Sequence, residues 1–140
     1  MLYSSTPLRS ACGDGATCGA TWQFAIGADG TSSWTQALPG TTTDATRPRG
    51  RFGDALVFDD TAGGVLLLEG TSFAGCNEGA GSSCTRTWRY DASTATWSDD
   101  GPAPPSRAFG AAAFDRASRA PVLIGGFVDG GNCNEFAGGL

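Results

Sequence analysis

The sequence predicts an all-β chain built by repeating one small antiparallel sheet. Three observations predict it. First, the text is periodic: Arg51-Phe52-Gly53-Asp54-Ala55-Leu56-Val57-Phe58-Asp59 returns as Arg107-Ala108-Phe109-Gly110-Ala111-Ala112-Ala113-Phe114-Asp115. Arg51 maps to Arg107, Phe58 to Phe114, Asp59 to Asp115 and Gly70 to Gly126, each pair 56 residues apart with no gap. A fixed period of this size marks stacked supersecondary units. Second, 22 Gly, 7 Pro and many Thr and Ser among 140 residues favour tight turns. Third, the apolar residues come in short runs with period two or none, and no long run has the helical period.

The first unit, residues 1–38, is incomplete. Leu2-Tyr3-Ser4-Ser5-Thr6 corresponds to Leu67-Leu68-Glu69-Gly70-Thr71, and a cysteine pair follows in both places. Met1 is therefore expected to fall inside a strand. Ala20–Ile26 is the next strand, with Trp22, Phe24 and Ile26 on one face. Ala28-Asp29-Gly30 is a hairpin turn, because Asp-Gly takes left-handed conformations readily. Residues 33–35 return, and 38–50, polar with two prolines, form a loop between units.

The complete unit spans 51–98. Residues 54–59 are its first strand and 60–64 a turn. Residues 65–69 are nearly all apolar, so this strand is expected to be buried on both faces. Residues 70–85 form a long Gly- and Ser-rich loop carrying Cys76 and Cys84. Arg86–Asp91 is the third strand, with Trp88 and Tyr90 on one face and Arg89 on the other; 92–95 turn, and 96–98 form a short fourth strand. A proline-rich link, 99–106, leads to the last unit, 107–140, which supplies two strands and a loop carrying Cys133. A four-stranded antiparallel unit of this length is a propeller blade. The expected fold is a partial β-propeller, one complete blade flanked by two incomplete ones.

The repeat resembles kelch repeats, the blades also found in galactose-oxidase-like proteins. The marks are a Gly pair after an apolar strand, an aromatic further on, and a Trp after that. Gly125-Gly126 is the full pair, and Glu69-Gly70 and Ser4-Ser5 are altered versions. Tyr90 and Trp97 hold the aromatic–Trp pair in the complete unit, Phe24 and Trp34 in the first. Arg51 and Arg107 hold the Arg at the unit start. Physically, a glycine after the second strand allows positive φ and close backbone approach. Large aromatics fill the wedge between stacked sheets, so Trp22, Trp34, Trp88 and Trp97 are read as core.

Five cysteines pair by unit. Cys18 precedes Trp22 by four residues and Cys84 precedes Trp88 by four, with Cys12 and Cys76 earlier in the same loops. The expected disulfides are Cys12–Cys18 and Cys76–Cys84, and Cys133 is left with its partner beyond Leu140. Repeated loop pairs imply an oxidising compartment, extracellular or periplasmic. The competing readings are metal ligation and free thiols. Metal ligation has neither His nor Cys-x-x-Cys to support it.

Net charge is −5 and all nine basic residues are Arg, so a nucleic-acid partner is not expected. No apolar run approaches the roughly 20 residues of a membrane span, and no cofactor is expected. Without His there is no Ser-His-Asp or Cys-His arrangement, and no catalytic constellation stands out. The copper centre implied by a galactose-oxidase likeness uses His and Tyr, so this chain does not hold the whole site. Asp29–Trp34 approaches the Asp-box of sialidase-like propellers, but Thr31 stands where Gly belongs. Asp59/Asp60 and Asp99/Asp100 read as solvated turn residues. Asp14, Asp129, Asn132 and Asn134 sit in Gly-rich loops without Ca²⁺-loop spacing. Arg47, Arg49 and Arg51 cluster before a first strand, and Arg51 is expected to hydrogen-bond the next unit.

The leading functional expectation is a binding scaffold, secreted or on the cell surface, that meets a protein or glycan through its loops. The alternative is part of an extracellular oxidase or carbohydrate-active enzyme whose catalytic units lie elsewhere. Open strand edges are a route to self-association, with residues 66–68 the expected seed if exposed.

Overall fold

A computed structural model describes residues 2–4, 19–40, 44–72, 84–103 and 107–127. Every regular element among them is a β-strand. The order is β1 (Leu2–Ser4), β2 (Ala20–Ile26), β3 (Ser32–Leu38), β4 (Ala55–Asp59), β5 (Gly64–Leu68), β6 (Arg86–Asp91), β7 (Thr96–Pro102), β8 (Ala108–Asp115) and β9 (Ala120–Phe127). They form three antiparallel sheets in chain order, β1-β2-β3, β4-β5-β6-β7 and β8-β9. The first sheet spans residues 2–38, the second 55–102 and the third 108–127.

Register within the sheets follows the aromatic pairs. Phe24 lies opposite Trp34, and Tyr90 opposite Trp97. Cross-strand pairs of this kind are where a sheet gains its side-chain stabilisation. Their rings sit 4.9 and 5.0 Å apart, tilted by 45° and 49°. The strand β5 is covered on both faces, as its apolar run predicts: Leu66, Leu67 and Leu68 are all buried.

The second sheet is sandwiched. On one face Leu67, Trp88, Tyr90 and Trp97 form a core with Leu56 and Val65, and Ala37 and Leu38 of the first sheet pack against it. On the other face Val57, Leu66 and Leu68 pack against Ala112 and Phe114 of the third sheet. Across the second seam β4 lies beside β8.

The backbone repeats with the text. Positive φ occurs at Gly53 and Phe109, Gly63 and Arg119, Glu69 and Gly125, and Gly70 and Gly126. Members of each pair are 56 residues apart. The two units thus turn at the same places in spite of different side chains, and three non-glycines accept a left-handed conformation to do so.

Two expectations need correction. The fourth strand does not end at 98: β7 runs to Pro102. Asp99 and Asp100 are therefore strand residues, paired in salt bridges with Arg86 and Arg89 of β6, and not solvated turn residues. The four tryptophans are not all core. Trp88 and Trp97 are buried, but Trp34 is half exposed on the first sheet.

Candidate functional site

Four charged residues meet where β4 and β8 begin and β5 ends. Arg51 is fully buried; its Nε–H donates to the Arg49 carbonyl (3.3 Å) and Nη1 to the Glu69 carbonyl (3.2 Å). Arg107 makes the equivalent bond one unit later, donating Nη1–H to the Gly125 carbonyl at 3.0 Å. The arginine at the unit start therefore ties the entry of the first strand to the exit of the second within its own sheet. Arg51 was expected to hydrogen-bond the next unit; the bonds named here go to Arg49 and Glu69.

The link to the next sheet is made by the Glu69 side chain. Its Oε1 accepts from Gly110 N–H at 2.8 Å. Two backbone bonds run beside it, Gly70 N–H to the Arg107 carbonyl (3.0 Å) and Phe109 N–H to the Gly53 carbonyl (2.7 Å). Glu69 is buried, and its second oxygen, Oε2, has no hydrogen-bond partner among the described residues. Gly70 has φ +106°, and a Cβ there would stand 2.9 Å from Arg51 Cδ, so this position needs glycine twice over.

Burial sets the protonation of the two acids. It pushes the Asp54 carboxyl up to about 6, with Arg51 acting in the opposite sense. Burial also raises Glu69, opposed by the Gly110 N–H and by Arg107. The cluster is a partly buried group of two arginines and two acids that clamps two sheets, and burial raises both carboxyls above their ordinary range. Among the described residues no group of three or more His, Cys, Asp and Glu side chains is arranged to hold a metal ion.

The ends of the sheets differ. Antiparallel order puts the beginnings of β4 and β6 and the ends of β5 and β7 at one end, where the charge cluster lies. The long connections 39–54 and 69–85 leave or arrive there, as does the short link 103–107. The opposite end is closed by short turns, each held by an aspartate. Asp29 accepts from Thr31 N–H (3.0 Å), Asp59 from Thr61 N–H (3.0 Å), Asp91 from Ser93 N–H (2.8 Å) and Asp115 from Ala117 N–H (2.9 Å). These are Asx turns, in which a short carboxylate satisfies the turning backbone. Asp59 is the most constrained: expected as a solvated turn residue, it is instead buried at the end of β4 and ion-paired with Arg89. Its burial is outweighed by hydrogen bonds from Thr61, Ala62 and Arg89, which hold its carboxyl well below the usual range.

Of the residues singled out in the sequence, Phe24 lies opposite Trp34 and Tyr90 opposite Trp97, and Gly70, Gly125 and Gly126 all take positive φ. Cys84 is fully buried at the root of β6, its N–H bonded to the Gly70 carbonyl at 3.0 Å. Cys12, Cys18, Cys76 and Cys133 lie outside the described residues, as do Asp14, Asp129, Asn132 and Asn134. Three contributors were not visible in the sequence. Glu69 reads as a substituted glycine, yet its side chain bridges two sheets. Thr21 and Gln23, on the face opposite Trp22 and Phe24, meet Trp97 and Tyr90 across the first seam.

No family model, no curated protein and no solved structure matches the chain.

Proposed function

We propose that the three sheets are successive blades of a kelch-like β-propeller, and that the chain serves as a binding scaffold whose ligand meets the long-loop end. The observation that carries this reading is the asymmetry of the sheet ends. One end is tied off by aspartate-held turns of a few residues, while the long connections 39–54 and 69–85 leave or arrive at the other, beside the charge cluster. A rigid stack with variable loops on one end is a common arrangement for recognition. The repeated φ pattern and the same-sense stacking of the three sheets support the blade reading. Under it the loops 5–19 and 73–83 are tied by Cys12–Cys18 and Cys76–Cys84, and the protein works outside the reducing cytosol.

The test uses the labelled 140-residue chain on an array of immobilised glycans and extracellular proteins. Two variants are compared with it: residues 73–83 replaced by an equal length of Gly and Ser, and residues 116–118 replaced by Asn-Gly-Asn. Loss of binding in the first and retention in the second is the expected result. Unchanged binding after the loop replacement, or binding to nothing on the array, overturns the proposal.

A further inference from the structure

The first and third sheets each leave one face open. On the first, Phe24, Ile26 and Trp34 are 43%, 71% and 50% exposed. On the third, Val122 and Ile124 are 42% and 70% exposed. Scattered exposed apolar residues need no account, but aligned ones on a sheet face do.

The internal seams identify these faces. Trp22 and Phe24 precede Trp88 and Tyr90 by 66 residues, and Trp34 stands opposite Phe24 as Trp97 stands opposite Tyr90. The open face of the first sheet is thus the aromatic face, the one that the second sheet buries against Thr21, Gln23, Ala37 and Leu38. Val122 and Ile124 follow Leu66 and Leu68 by 56 residues. The open face of the third sheet is thus the aliphatic face, the one that the second sheet buries against Ala112 and Phe114. In both seams an aromatic-type face of one sheet meets the opposite face of its neighbour. Among the described residues this junction is made twice, and one half of it is left exposed on the first sheet and the other half on the third.

We infer that a second copy of this chain covers these faces: the Val122/Ile124 face of one copy docks on the Phe24/Trp34 face of another. The contact is heterologous, head to tail, because the two halves differ. Such a contact closes into a ring when the rotation per sheet allows it and otherwise extends as a filament. It continues an interface the molecule already uses, and it rests on the observed stacking rather than on the binding role proposed above. It also differs from pairing at open strand edges, where backbone groups and not sheet faces would join.

The experiment is analytical ultracentrifugation of the whole chain over a wide concentration range, with two variants at exposed positions, Phe24→Glu and Ile124→Glu, each checked for unchanged far-UV circular dichroism. The wild type is expected to give concentration-dependent species heavier than the 14.2 kDa monomer. Each variant alone is expected to be monomeric, since each has lost one half of the junction. An equimolar mixture is expected to form a 1:1 dimer and nothing larger, because one intact half remains on each partner. A monomeric wild type overturns the inference. So does association of Ile124→Glu alone, which would mean that aromatic faces meet each other. Association of both variants alone would assign the contact to strand edges, and it too overturns the inference. If Phe24→Glu or Ile124→Glu misfolds, Trp34→Ser and Val122→Thr on the same two faces replace them with the same expected outcomes.

Discussion

Trp97 Nε1–H donates to Thr21 Oγ1 at 2.9 Å, joining residues 76 positions apart across a buried seam between two sheets. Tyr90, whose ring packs on Trp97, accepts from Gln23 Nε2 at 3.1 Å beside it. The first seam therefore combines aromatic burial with a pair of polar links. Apolar burial alone tolerates sliding, whereas a directed hydrogen bond between buried groups fixes where one sheet sits on the next.

That bond predicts a measurable coupling. Thr21→Val removes the acceptor and Trp97→Phe the donor, and each is expected to cost about 1–3 kcal/mol, because the surviving partner stays buried. The double variant is expected to cost less than the two singles together. Urea unfolding with an unchanged slope and a shifted midpoint gives the three values. Strict additivity would mean that the two groups do not interact.

Much of this fold was legible beforehand, and particular residues show why. The text repeat fixes which strands belong together, since Arg51/Arg107 and Asp59/Asp115 recur at 56 residues. Each hairpin is announced by an aspartate followed two residues on by a turning backbone N–H. These signals are local. The failures are tertiary. The length of β7 depends on Arg86 and Arg89 of the neighbouring strand meeting Asp99 and Asp100, which no window around residue 99 reveals. Burial of Trp34 depends on whether another sheet lies over it. Glu69 breaks the glycine pattern, but its left-handed backbone (φ 52°) and its bond to Gly110 come from the fold and not from spacing.

The two unit-start arginines are expected to respond unequally to the same change. Both donate to the carbonyl 18 residues on, but Arg51 is fully buried and Arg107 is partly exposed. Arg51→Met takes a charge out of a cluster that also holds Asp54 and Glu69, and a loss of about 3 kcal/mol is expected. Arg107→Met is expected to cost under about 1 kcal/mol, since its bond lies in solvent. Equal losses would show that the bond itself, rather than its burial, sets the energy. Thermal melts of both variants at one pH decide this.

Stability is expected to fall as pH rises through the weakly acidic range. The Asp54 carboxyl lies at about 6 in the folded chain, above the roughly 3.9 of an unfolded aspartate. Between those values the folded state binds more protons than the unfolded one, so stability decreases with pH there and is level above. Glu69 shifts in the same direction. Below about 4 the sign reverses, because Asp59, Asp91 and Asp115 are held low by their turns and lose that stabilisation on protonation. The optimum is expected near pH 4–5. Asp54→Asn removes the cost of a buried charge. It is expected to raise stability at pH 7 by on the order of 2 kcal/mol and to move the optimum upward. Denaturant midpoints from pH 3 to 8 for both proteins test this; parallel profiles would assign the slope to some other group.

The cysteine pairing is decided by counting thiols. Cys84 is buried where β6 begins, with its N–H held by the Gly70 carbonyl, so one anchor of the 73–83 connection is already fixed in place. A bridge from Cys76 to that anchor would close a short loop, and Cys12–Cys18 would close the matching loop of the first unit. Each closure contributes about 2–3 kcal/mol in the chain-entropy picture. Denatured without reductant, the protein is expected to expose one thiol, Cys133, and five after reduction. Cys76→Ser and Cys84→Ser singly are each expected to expose two. Reduction is expected to lower the melting temperature of the wild type, and to lower it less in a Cys76→Ser/Cys84→Ser double variant, which has one bridge left to lose. Five thiols in the unreduced, denatured wild type would remove both bridges and with them the argument for an oxidising compartment.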